Sequence, residues 1–249
     1  MTGFDLAGRV ALVTGAGKGI GRAVAVGLAR AGADLVLHAR KESDLDEAAA
    51  AVRREGRRAS CWVQDLAAPA EALAASASAL GDVDILVNNA GVIHRGPALE
   101  QTYDTWRGVL AVNLDAVFVL TRAVGAGMVA RGRGKVITVA SLLSFQGGLN
   151  VAGYTVSKHA VAGLTRALAN EWSAHGVQVN AIAPGYIETA NTGPLRADEQ
   201  RERSIRERIP AGRWGRPEDL VGAAVFLASP AADYVAGHVL VVDGGWMAR

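Results

Sequence analysis

Arg9-Val10-Ala11-Leu12-Val13-Thr14-Gly15-Ala16-Gly17-Lys18-Gly19-Ile20-Gly21 decides the fold. Its first half, Arg9 to Thr14, is a short apolar run that ends at glycines and reads as a buried strand. Its second half opens a helical pattern from Gly19 to Ala31, closed by Gly32. Glycines at such a junction let the backbone turn sharply and approach a pyrophosphate. The helix N-terminus adds free N–H groups and the positive end of its dipole. A glycine-rich loop alone is weak evidence; after a first strand and opening a helix it points to a dinucleotide. Gly15, Gly17, Lys18, Gly19, Ile20 and Gly21 are placed for that contact.

The same alternation continues. Strands are expected at Asp34–Ala39, Ala59–Val63, Val83–Val87, Lys135–Val139, Val177–Ile182 and His238–Val242. Helices are expected at Ser43–Glu55, Pro69–Leu80, about Thr102–Ala130, Gly153–Ala174 and Pro217–Ala228. The strands are apolar runs, not period-two alternations, which marks a parallel sheet covered on both faces. No linker or repeat interrupts the chain. The expectation is one α/β domain over 1–249, a Rossmann-type doubly wound parallel sheet of about seven strands between two helical layers.

Composition narrows the class. Net charge is +2 and no Lys/Arg run forms a patch, so a nucleic-acid partner is not expected. Cys61 is the only cysteine, which excludes an internal disulfide and suits a reducing, cytoplasmic location; it reads as a small buried hydrophobe. The start has no apolar h-region and no apolar run reads as a membrane span, so neither signal peptide nor membrane attachment is expected. No metal is expected.

Gly153-Tyr154-Thr155-Val156-Ser157-Lys158 carries the chemistry. Four residues apart in a helix, Tyr154 and Lys158 share a face. A phenol has a pKa of about 10, and a neighbouring ammonium favours its phenolate. The pair reads as a general acid/base for a carbonyl or alcohol. Ser141 follows a strand at the sheet's carboxyl edge; it holds a carbonyl oxygen beside Tyr154 or caps a turn. Asn89, Ala90 and Gly91 follow another strand and line the crevice. Asn113 lies in an apolar helix, Val109-Leu-Ala-Val-Asn-Leu, and needs a water or a helix distortion to satisfy it. Asp65 accepts from the adenine amino group or caps the helix near Pro69, with Leu66 beside it.

The ribose contact comes after the second strand, where a carboxylate would pair with a 2′-hydroxyl and a cation with a 2′-phosphate. The sequence there is Leu37-His38-Ala39-Arg40-Lys41, with no acid. Arg40 and Lys18 converging on one spot suit the dianion of NADP, with NAD as the alternative; both are otherwise ordinary loop charges.

Thr14-Gly-x-x-x-Gly-Ile-Gly21, Asn88-Asn-Ala-Gly91, Asn113, Ser141, Tyr154-x-x-x-Lys158 and Pro184-Gly185 together resemble the short-chain dehydrogenase/reductase family, in order over essentially the whole chain. The resemblance implies that Tyr154 is the acid/base and that Lys158 tunes it and holds the nicotinamide ribose. It implies that Ser141 orients the substrate oxygen and Asn113 holds a relay water. Pro184, Gly185, Ile187 and Thr189 would line the nicotinamide end. Ser141-Leu-Leu-Ser-Phe-Gln-Gly-Gly148, Ala183-Pro-Gly-Tyr186, Arg208-Ile-Pro-Ala-Gly-Arg-Trp-Gly215 and Asp243-Gly-Gly-Trp246 resemble bacterial 2-deoxy-D-gluconate 3-dehydrogenases, also described as 2-keto-3-deoxygluconate 5-dehydrogenases. That subgroup is usually associated with NAD, and often has a basic residue where this chain has Asn150.

A substrate lobe is expected at about 188–214, polar and arginine-rich. A small polyol carboxylate suits it better than a steroid or acyl chain. Most of its arginines read as a solvated helix face paired with Glu199, Glu202 and Glu207. Arg95, Ser141, Leu143, Gln146, Tyr186 and Arg213 are the candidates for touching substrate. The alternatives are a 3-ketoacyl thioester reductase and a non-catalytic nucleotide-binding scaffold. Small and apolar residues on several sides of the helix after Tyr154, Val156, Ala160, Gly163, Ala167 and Leu168, point to a packed mate. The family resemblance makes that a homotetramer, with Trp246 finishing a neighbour's surface.

Overall fold

The computed structural model describes residues 2–249, so Met1 of the expected domain lies outside it. Seven parallel strands form one sheet: β1 (Val10–Val13), β2 (Asp34–Ala39), β3 (Ala59–Val63), β4 (Ile85–Asn88), β5 (Gly134–Val139), β6 (Val177–Pro184) and β7 (Val239–Val242). Their spatial order is β3-β2-β1-β4-β5-β6-β7. The chain builds outward from β1 to β3, then returns to β1's other side with β4. β1 pairs with both, Val13 standing opposite Leu37 and Val87. A crevice opens at such a reversal, beyond the carboxyl ends of the strands.

Strand residues alternate between two cores, as a doubly covered sheet requires. Val13, Leu37, Val87 and Ile137 face a cluster closed by α1 (Gly19–Arg30), α2 (Asp46–Arg54) and α9 (Val221–Ala228). Leu12, Val36, Leu86 and Val136 face the opposite cluster, closed by α3 (Ala70–Ser78), α5 (Ala116–Ala130) and α6 (Ala152–Trp172). Burying such aliphatic side chains contributes about 1.5–3 kcal/mol each.

Several expectations need correcting. The single helix expected over 102–130 is α4 (Tyr103–Leu110), a π-helical turn at Ala111–Asp115 and α5. This 28-residue stretch is long and apolar enough by composition to cross a membrane, contrary to the reading that no run was. It is a core element here, since 56% of its most apolar window is buried against the sheet and its neighbours. The polar lobe contains two short helices, α7 (Gly193–Ala197) and α8 (Glu199–Arg208). Cys61 is exposed, not buried, because β3 is the sheet's edge strand and turns that side chain outward. Trp246 is only 6% exposed and fills its own lobe, against Ile205, Ile209, Trp214 and Leu142, so it is not left for a neighbour.

Candidate active site

The glycine loop lies between β1 and α1. Its end is open: Lys18 at the helix N-cap makes no side-chain cap bond, and the first turn holds no acid. The first-turn N–H groups are thus available for an anion. The loop also doubles back tightly. A Cβ on Gly21 would come within 2.2 Å of the Gly15 carbonyl oxygen, and one on Gly17 within 2.3 Å of Asp44's. Ile20 packs at the edge of the α1-side core. Across the loop, the Thr189 methyl stands 3.5 Å from where a Gly19 Cβ would be. The segment after β6 therefore roofs the glycine loop. This cradle fits the pyrophosphate of a dinucleotide, as the spacing of glycines predicts.

Neighbouring strands clamp the loop. The Asn89 amide donates to the Thr14 and Gly15 carbonyls at 2.9 and 3.1 Å. The Thr14 hydroxyl accepts from the Asn89 and Ala90 N–H groups at 2.9 and 3.0 Å. Asn89 and Ala90 thus shape the crevice as well as line it. Gly91 lies against Asn113, whose Oδ1 is 3.3 Å from a Cβ position there. One clamp has no counterpart in the sequence reading. His38 is 2% exposed, and its Nδ1 accepts the Gly15 N–H at 3.1 Å. The available signal was a polar ring inside the apolar run Leu35-Val36-Leu37-His38-Ala39, one turn from the crevice.

Arg40 and Lys18 are exposed at the carboxyl end of the sheet, and neither enters an ion pair among the described residues. Asp65 neither caps the helix at Pro69 nor stands idle: its Oδ1 accepts from the Ala67 N–H at 3.0 Å and closes a turn. Leu66 is buried beneath it, in the second core.

Tyr154 and Lys158 sit in the first turns of α6, on one face, with Nζ 5.4 Å from the phenol ring centroid. Lys158 is 5% exposed and donates to the Val139 carbonyl at 2.6 Å. Burial pulls its pKa down to about 8. The Tyr154 phenol is pushed above its ordinary value, because burial outweighs the polarising Ser141 hydroxyl and the Arg95 charge. That corrects the simple expectation of a lowered phenol: Lys158 is aimed at the end of β5. Ser141 caps a turn and also lies within reach of Tyr154. Its Oγ accepts from the Leu143 N–H at 3.2 Å, capping the 3-10 turn Leu142–Ser144, and it also acts on Tyr154. Ser144 then locks the turn to α6 by donating to the Lys158 carbonyl at 2.6 Å.

Asn113 is 1% exposed and lies in the π-helical turn, the helix distortion that a buried amide in an apolar helix called for. Its Oδ1 accepts from the Val92 N–H at 2.8 Å, and its Nδ2 donates to the Val92 carbonyl and to Ser157 Oγ. The side chain is thus committed to protein.

The substrate candidates divide. Arg95 reaches across the cleft and donates to the Asn191 carbonyl at 3.0 Å, its charge felt by Tyr154. Tyr186 meets Trp214 edge-on and Trp246 at a tilt, with centroid distances of 5.4 and 4.7 Å. Gln146 Oε1 receives the Trp246 indole N–H at 3.4 Å, so the turn after β5 joins this aromatic wall. Leu143 leans on Gly148 nearby. Arg213 does not belong with them. It grips Asp219 through two nitrogens at 2.7 and 3.0 Å and holds that carboxyl down at about 2. Its positive end is spent on the lobe's base. The lobe's other arginines are less paired than expected: Arg206 meets Glu202 at 3.0 Å and Arg208 covers the Trp246 ring at 4.0 Å. No ion pair to Glu199 or Glu207 forms among the described residues. Pro184 ends β6; the Gly185 N–H donates to the Val242 carbonyl, and Ile187 is buried where it bridges to Gly215.

A family model described as enoyl-(acyl carrier protein) reductase matches residues 15–247. The chain is 55% identical over 249 residues to 2-dehydro-3-deoxy-D-gluconate 5-dehydrogenase of Bacillus subtilis, covering 99% of this chain and 97% of that protein. A Beutenbergia cavernae protein crystallised with NADP at low occupancy superposes with a TM-score of 0.96, at 57% identity and 99% coverage of both chains. Gluconate 5-dehydrogenase of Burkholderia cenocepacia, solved with NADP and tartrate, gives 0.95 at 41% identity, covering 100% of this chain and 98% of that one.

Proposed function

Because the chain belongs to the short-chain dehydrogenase/reductase family, we propose that it moves a hydride between NADP and a keto or hydroxyl group of a small sugar acid of the keto-deoxygluconate or gluconate kind. The observation that carries the reading is the convergence of Ser141, Tyr154 and Lys158 at the end of β5, beside an open glycine cradle. The relatives carry the substrate class.

In this reading the glycine loop holds the pyrophosphate, Arg40 and Lys18 the 2′-phosphate, and Pro184, Gly185, Ile187 and Thr189 border the nicotinamide. Asp65 and Leu66 border the adenine. NADP, when bound, supplies or accepts the hydride. Ser141 orients the substrate oxygen and Tyr154 gives or takes its proton. Lys158 holds positive charge beneath them, and its descent toward neutrality at about 8 suits proton exchange with the phenol. Arg95 meets the substrate carboxylate, and Leu143, Gln146 and Tyr186 shape the pocket. Arg213 is a positioning residue for the lobe.

A panel assay with both cofactors, in both directions, tests the substrate. We expect turnover of keto-deoxygluconate- or gluconate-like acids and weak activity on acetoacetyl thioesters. Efficient thioester reduction with no sugar-acid activity would move the assignment to the ketoacyl reductases.

Cofactor choice has its own test. A charged hydrogen bond contributes about 1.5–3 kcal/mol, so one, partly screened, gives NADP about tenfold over NAD. Arg40→Ala and Lys18→Ala should each shrink that ratio in kcat/KM by at least threefold. A wild-type preference for NAD, unmoved by either change, removes the phosphate site.

The protein is further proposed to be cytoplasmic and homotetrameric. The outer face of α6 supports assembly: Val156 is 43% exposed and Gly163 faces open space, with Phe118 of α5 44% exposed. Ala167→Arg on that face should yield a smaller particle by light scattering; an unchanged mass would place the interface elsewhere.

A further inference from the structure

Two backbone N–H groups of the glycine loop end on one residue of β2. Gly15 donates to the His38 ring, and Ala16 donates to the His38 carbonyl at 2.9 Å. The ring's other nitrogen faces the Gln64 carbonyl at 3.0 Å. This arrangement fixes the tautomer. Nδ1 receives an N–H, so it carries no proton, and the proton sits on Nε2, donating to Gln64. The ring is packed against Trp62, with centroids 5.0 Å apart, and no water-facing side remains. A second proton would set two N–H groups against each other at Gly15, in a site where an unsatisfied polar group cannot turn to water.

We infer that His38 is a positioning residue for the dinucleotide, holding the glycine loop in its phosphate-binding shape only while its ring is neutral. The inference rests on the NADP reading above and adds a pH dependence to it. Lys18 lies within the loop and Arg40 just past β2, both exposed, and Asp65 past β3 is the charge that reaches the ring. Burial lowers the ring's pKa, while the Gln64 hydrogen bond and the Asp65 carboxylate act the other way. With the folded value below the free one, protonation is resisted near neutrality. The clamp therefore holds until pH falls through that lowered folded value, where the ring charges and cofactor affinity falls with it.

NADP binding by the full-length protein, followed by fluorescence from pH 8 to 5.5, tests this in wild type, His38→Asn and His38→Leu. Asn keeps an acceptor toward Gly15 and does not titrate; Leu offers none. The 2′-phosphate itself titrates near about 6, but equally for all three proteins. We expect His38→Leu to bind NADP about tenfold more weakly at pH 8, with the loss falling mainly in KM for the cofactor. We expect wild type to lose at least threefold more affinity than His38→Asn on going to pH 5.5. Equal affinities and parallel profiles in all three proteins would overturn the inference while leaving NADP binding intact. Failure of wild type to bind NADP at pH 8 would instead overturn the dinucleotide reading on which it stands. Nitrogen NMR of the wild-type ring needs no variant: a proton on Nδ1, or titration near 6.5 like a free imidazole, would also overturn it.

Discussion

Tyr154→Phe lowers kcat by about 10²-fold or more, because a positioned acid/base contributes about 10²–10⁴. Phenylalanine keeps the half-buried ring and its packing, so the fold and NADP affinity should change little. Steady-state kinetics in both directions and a cofactor titration check this; near-normal turnover would remove Tyr154 from the mechanism. The wild-type pH profile adds a directional test. Burial keeps the phenol protonated through neutrality. Reduction needs a proton donor, so its rate should be flat in pH there. Oxidation needs the phenolate, so its kcat/KM should climb with pH, approaching tenfold per unit below the phenol's pKa. A flat oxidation profile from pH 6 to 9 would contradict this assignment.

Lys158→Met should cost activity and raise stability together. Lys158 is buried in the fold with its pKa lowered to about 8 from an ordinary 10.5. The unfolded chain therefore holds the extra proton between those values, and below 8 the fold carries a buried charge at a cost of about 3 kcal/mol. Methionine fills similar space without charge. Loss of the hydrogen bond to Val139 offsets part of the gain, leaving about 1–2 kcal/mol, or a few degrees in Tm at this chain length. The difference from wild type should shrink as pH rises from 8 to 10.5, since the native lysine is neutral there. Tyr154 is common to both proteins and cancels. Turnover should drop by about 10²-fold. Calorimetry across pH is the measurement; a lower Tm at pH 7 would mean that the lysine charge is well solvated in place.

The strands were legible because a doubly covered sheet makes apolar runs, and glycines mark where they stop. The grouping of Ser141, Tyr154 and Lys158 was legible because they lie on those elements at fixed offsets. What could not be read depended on contacts distant in sequence or on exposure. Arg213 looked free until Asp219, six residues on, proved to hold it. Cys61 looked buried because nothing local says that β3 is the last strand on its side. α8 has a single buried residue, Ile205, so its sequence shows polarity without an apolar stripe. His38 carries no motif, and its partners, the returning glycine loop and Gln64 past β3, come from other parts of the chain. Asn113 was half legible: its need for partners was clear, while the π-helical turn that meets it depends on Val92 and Ser157.

The strand order also sets a sequence of events during synthesis. β1, β2 and β3 emerge from the ribosome first and can pair at once, but β1's second neighbour is β4, some seventy residues later. Until Ile85–Asn88 arrives, Val10–Val13 presents an unpaired apolar edge, of which the finished protein buries all but part of Val10. Such an edge is an invitation to pair with another nascent chain. The strand beside the glycine loop is thus an aggregation-prone line while the chain is being made. A ribosome-arrested fragment ending before Ile85 should bind a holdase chaperone, and one extended past β5 should release it.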